Sequence, residues 1–199
     1  MTTFRGERGL ALRSRLYLGK VLGRGHGRPA GLNPPDGPLL GVGDMLWSCG
    51  GSFLGIFVLF SLDNLLFTGD QHLLLGSFGA SGLIIFGAPH SEFARARSVV
   101  GGQVISSLVG VSVFMLLEGR PILAAALAVS LALAAMRLTG TLHPPGGATA
   151  LLAVTGHPMV VRLGYGYALM PVGAGIVILF LLGVLINNLS PHRFYPLRW

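Results

Sequence analysis

Four apolar runs, at residues 46–67, 98–117, 121–138 and 164–189, are each long enough to cross a bilayer as one helix. In hydrocarbon no water pairs with a bare backbone amide, so such runs must be helical. The rest of the composition agrees. Charged residues make up 11% of the chain and hydrophobic ones 52%, with a mean hydropathy of +0.70. A soluble domain carries about twice that charged share. The chain reads as an all-α integral membrane protein, and its 199 residues suffice for one bundle without a separate soluble enzyme domain.

Between the long runs lie two shorter, glycine-rich segments. The second, TLHPPGGATALLAVTG at residues 141–156, places His143 before Pro144 and Pro145, then Gly146, Gly147 and Thr149. Proline lacks an N–H and suits only the first turn of a helix, so a helix is expected to start there. Its first amides, at Gly146 and Gly147, are expected to lack intrahelical partners and to be open to a ligand or a neighbouring helix. The first short segment, residues 72–88, carries GSFGASG. Residues 79–84 align with 147–152 at a constant offset of 68, and each segment sits between two long spans. The chain therefore reads as two repeats of long, short, long.

HPPGGATAL resembles the signature of the HPP family of small integral membrane proteins. The likeness extends to GSFGAS at Gly76 to Ser81, APHS at Ala88 to Ser91, Arg97 with Gly101 and Gly102, and Asn187 with Asn188. It covers roughly residues 47–199. Glu92 and Ala96 depart from the prolines expected there, and Ser98 from an asparagine. The resemblance implies a multi-span protein, and some plant and cyanobacterial members are linked to nitrite transport. It also implies loop or gating roles for His90, Ser91, Arg97, Asn187 and Asn188.

Charge gives the expected topology. Seven of the 14 Lys and Arg precede the first span, so residues 1–38 read as a basic cytoplasmic tail, with a short surface helix near 13–22, and residues 39–199 as the transmembrane domain. A net charge of +7 would suggest nucleic acid in a soluble chain; here it reads as a topology signal with lipid contact. No apolar run precedes Leu39, so insertion is expected to rely on the first span. If the short segments cross, there are six passes, the repeats are inverted, and twelve of the 14 basic residues face inside. If they only dip in and return, ten do. The inverted six-pass arrangement is preferred, with both termini cytoplasmic, in the cell inner membrane.

Discontinuous segments in opposed repeats are a common way to build a midplane substrate site. Helix N-termini, the hydroxyls of Ser77, Ser81 and Thr149, and His143 favour a small inorganic anion. Gly76, Ser77, Gly79, Ala80 and Ser81 are the candidate binding residues of the first segment. His143, Pro144, Pro145, Gly146, Gly147 and Thr149 are those of the second. Close helix packing is the competing reading of the same glycines. No cofactor is expected. A single cysteine excludes an intramolecular disulfide, and His72, His90, His143 and His157 lack metal-site spacing. Ser91 beside His90 is no positioned nucleophile and base, so an enzyme is not expected. The remaining expectations are the lipid bilayer as partner, a homo-oligomer, and, as the alternative function, a structural or lipid-interacting protein.

Overall fold

The computed structural model describes residues 17–19, 21, 41–66, 76–156, 158–190 and 192–196. The basic tail, the 13–22 helix apart from its few described residues, His72 and His157 lie outside them. The described residues are mostly helical, with no strand among them. Helix α1 is Val42–Leu66, and α2 is Gly76–Gly82, extended by a π-helical turn at Leu83–Gly87. A second π-helical turn, Arg97–Gly101, leads into α3, Gly102–Leu116. Then come α4 (Pro121–Thr139), α5 (Pro145–Ala153), α6 (Pro158–Leu163), and the wide turn Ala168–Gly173 running into α7 (Ala174–Leu189). Four of these, Val42–Leu65, Arg97–Leu116, Pro121–Thr139 and Ala168–Leu189, are long and apolar enough to cross a membrane. Pro171 interrupts the last of them, as expected of proline inside a helix, and Met170 beside it has non-helical angles (φ −133°, ψ 117°).

Along α4 small residues face inward and most large apolar ones face outward. In α4 the buried stripe is Ala124, Ala128, Ala132 and Met136, four residues apart, while Ile122, Leu131 and Leu138 are exposed. Lipid is as apolar as leucine, so there is no drive to bury leucine, and small residues let backbones approach. Gly110 is one such contact. A Cβ added there would lie 2.7 Å from the Ala150 carbonyl oxygen and 2.7 Å from the Ala153 Cβ. Gly51 and Gly55 of α1 do not admit another backbone. They seat the Phe86 ring, 2.7 Å from a Cβ added at either.

The direction of each short segment follows from its neighbours. Arg193 reaches the Asp44 carbonyl (2.7 Å) and the Phe86 carbonyl (2.9 Å), Tyr195 Oη donates to the Ala94 carbonyl (2.8 Å), and Arg97 donates to the Thr139 carbonyl. Residues 44, 86, 94–97, 139 and 193–195 therefore share one end of the bundle, here the near face. Gly156 lies against Phe114 and Gly164 against Met115, at the opposite, far face. α5 runs alongside α3 in the same direction, with Gly146 against Gly102 and Ala150 against Gly110. The chain thus travels from the near face at Gly140 to the far face at Gly156. Nine residues of α5 supply about 14 Å of that path; the non-helical 141–143 and the turn after Ala153 supply the rest. Residues 76–87 run beside α7 towards the near face, with Phe78 against Gly175 and Ile85 against Gly183.

Both short segments therefore make a pass and do not double back. Taken as a unit, the first three legs start at the near face and finish at the far face, and the last three start at the far face and finish at the near face. Gly110 meets Ala153 and Gly183 meets Ile85, and Ala153 and Ile85 are again 68 residues apart. In a Cys49→Ser background, single cysteines replacing the exposed Glu92 and Glu118 should label from opposite sides of the membrane. Labelling of both from one side would contradict the six legs.

Candidate functional site

Four of the polar side chains buried inside the bundle gather where α2, α3 and α5 meet. Ser81, Gln103, His143 and Thr149 are each 0% exposed. His143 sits just before the Pro144–Pro145 pair that starts α5. Its Nδ1 lies 2.9 Å from the Phe93 carbonyl, which can only accept, so Nδ1 carries a hydrogen. Its Nε2 lies 2.8 Å from Ser81 Oγ. Gln103 donates from Nε2 to Ser81 Oγ at 3.0 Å, and Thr149 Oγ1 donates to Gln103 Oε1. The chain of contacts runs Phe93, His143, Ser81, Gln103, Thr149.

Ser81 has one hydroxyl hydrogen and two acceptors for it, the Ser77 carbonyl at 2.8 Å and His143 Nε2. With a neutral imidazole the hydrogen points to Nε2. With an imidazolium, Nε2 donates instead and the hydroxyl turns to Ser77. The Ser77 hydroxyl, one turn away on the same face of α2, is buried and has no partner among the described residues.

The glycines behave differently from the expectation of open amides. The Gly146 amide donates to the His143 carbonyl (2.9 Å) and the Gly147 amide to the Pro144 carbonyl (3.0 Å). The proline pair closes a tight turn whose carbonyls accept these first amides. Gly146 is spent on packing: a Cβ there would lie 2.5 Å from Ser106 Oγ and 3.0 Å from the Gly102 carbonyl. Gly147 is half-buried with only Val129 near it. α2 begins at Gly76, so Gly79, Ala80 and Ser81 lie in its second turn and not at its end. Gly76 and Gly79 are exposed, with nothing among the described residues within 4 Å of an added Cβ. The two segments do meet, through Ser81 and His143 and through Gln103, and not through their glycines.

The loop candidates divide. Arg97, with its donation to Thr139, covers the C-terminus of α4, where Gly140 turns left-handed (φ 65°). His90 is exposed, and the Ser91 hydroxyl is buried without a partner among the described residues. Asn187 and Asn188 are anchors. Asn187 Nδ2 donates to the Ile85 carbonyl (3.1 Å), which the π-helical turn releases, and Asn188 holds Tyr195 at both its amide and its carbonyl. Burial pushes the Tyr195 hydroxyl pKa up, which keeps it a donor to Ala94. No three His, Cys, Asp or Glu gather as a metal-holding group among the described residues.

Gln103, Arg193 and Asp44 were not among the sequence candidates. Gln103 had a signal: it is the lone carboxamide within residues 98–117, and a polar side chain inside a span is a default candidate for function. Arg193 and Asp44 lie 149 residues apart, and nothing local links them.

Residues 38–196 match the family described as HPP, transmembrane region. The chain belongs to the HPP family. Two proteins of Dictyostelium discoideum, each named only as a transmembrane protein, are similar to it. One is 40% identical over 157 residues, 77% of this chain and 50% of the relative; the other is 37% identical over 187 residues, 92% and 63% respectively. This HPP chain thus spans about half to three-fifths of these curated relatives. No solved structure matches it.

Proposed function

We propose that this HPP protein moves a small inorganic anion, of the nitrite or nitrate kind, across the cell inner membrane. One observation carries the reading: a buried set of hydroxyl, amide and imidazole groups at the meeting point of α2, α3 and α5, with no carboxylate in it. Polar groups at membrane depth are expensive and tend to serve a pathway. A set of donors without a carboxylate suits an anion better than a cation. The binding groups are side chains, with Ser81, Thr149, Gln103 and His143 in place of helix-end amides. The opposed legs and the repeated offset of 68 support a duplicated, inverted origin. The basic-residue count supports cytoplasmic termini, and the thin bundle supports a homo-oligomer.

The test is flux of nitrite, nitrate and formate into vesicles containing the purified protein, against empty vesicles. No excess flux sinks the assignment. Where the wild type is active, His143→Ala should lower flux about tenfold, since the buried Ser81 hydroxyl loses the partner that orients it. The amount of folded protein should stay nearly constant. A non-transporting structural protein is the second reading, favoured by the close packing at Gly102, Gly110 and Gly146. It expects folded protein and no flux.

A further inference from the structure

We infer that Gln103 is the specificity-determining plug of this site, its carboxamide occupying the place an anion takes when it binds; this rests on the transport reading above. Gln103 is fully buried on α3, and its two ends join Ser81 and Thr149. Those two hydroxyls are themselves 68 residues apart, at matching positions of the two short segments. The carboxamide therefore bridges equivalent groups on two legs that run in opposite directions. Its Oε1 accepts the Thr149 hydroxyl as an anion oxygen would. Its planar O–C–N group has the bent shape and near the span of a two-oxygen anion such as formate.

A second observation points to a ligand at the same place. The Ser77 hydroxyl is 3% exposed, has no partner among the described residues, and shares the face of α2 that carries Ser81. It is a donor without an acceptor beside a site whose other donors are all occupied. An anion displacing the carboxamide would accept from Thr149 and, once the Ser81 hydroxyl turns from His143 and the Ser77 carbonyl, from Ser81, with the Ser77 hydroxyl one turn away as a third donor. The freed Gln103 Nε2 remains a donor close by. Selectivity then follows from competition, since an anion that cannot accept from both Thr149 and Ser81 leaves a hydroxyl unpaired.

Plug and strut make opposite predictions for two variants. Removing a plug raises the share of protein ready to bind, so Gln103→Ala should lower the apparent KM for formate by about threefold or more and weaken its preference over chloride. Gln103→Glu keeps the shape but tethers a carboxylate in the site, and its flux should fall by about tenfold or more as that group ionises. Both are measured in vesicles beside the wild type, with the folded fraction read by size-exclusion chromatography. A structural strut would have both variants lose flux together, with KM unchanged or raised, and that result overturns the role of Gln103. If Gln103→Ala does not fold, Gln103→Ser takes its place with the same expected direction. Absence of flux in the wild type overturns the transport reading first, and this inference with it.

Discussion

Gly110→Ala should sharply reduce the folded protein recovered from membranes, while Gly147→Ala should leave it nearly unchanged. The two changes add the same single methyl group to a glycine inside the bundle. At Gly110 that methyl lands 2.7 Å from the Ala150 carbonyl oxygen and 2.9 Å from its Cα. Both are backbone atoms of α5, which cannot swing aside as a long side chain would. α3 and α5 must separate, and overpacking of this kind costs about 1–3 kcal/mol or more. At Gly147 the nearest atom is Val129 Cγ1 at 3.9 Å, an ordinary contact. Thermal unfolding in detergent, followed by tryptophan fluorescence, reads both. Equal stability of the two variants would show that α5 does not press on α3 at Gly110.

That contrast bears on what a glycine-rich signature conveys. Two adjacent glycines after a proline pair look alike in sequence, yet Gly146 is filled by a neighbour and Gly147 is open. Helical rotation separates them by about 100°, and which side faces α3 depends on the whole bundle. The long spans were legible because length and hydropathy alone decide them. The starts of α4 and α5 were legible from Pro121 and from the proline pair. The direction of the short segments was legible only weakly, through basic-residue counts, and long-range contacts establish it. The candidate site was half legible: Ser81, His143 and Thr149 belong to it, while Gln103, which joins them, lay unremarked inside an apolar span. Asn187 and Asn188 looked like loop or gating residues, but they hold main-chain carbonyls that a π-helical turn and the tail leave over.

Other main-chain carbonyls at that end make Arg193→Ala the most damaging single change expected at the near face. Arg193 is 2% exposed, and its guanidinium binds at least five groups from three parts of the chain. These are the Asp44 carboxylate (2.6 Å) and carbonyl (2.7 Å), Ser48 Oγ (2.7 Å), the Phe86 carbonyl (2.9 Å) and Asn187 Oδ1 (3.1 Å). The ion pair alone contributes modestly, because the Asp44 side chain is 37% exposed and water competes for it. The larger loss is that of acceptors left bare: about 1–3 kcal/mol for each buried one, so several kcal/mol in sum. Arg193→Lys should recover little, since one ammonium cannot reach a helix start, a π-helical turn and an asparagine at once. Asp44→Asn should do far less harm than either, as its main-chain carbonyl remains. Loss of the guanidinium also frees the tail that holds Tyr195 against Ala94, next to the Phe93 carbonyl that orients His143. Arg193→Ala should therefore unfold at a markedly lower temperature and expose the tail to protease. An unfolding temperature equal to that of the wild type would show that the near face is held by apolar packing and not by Arg193.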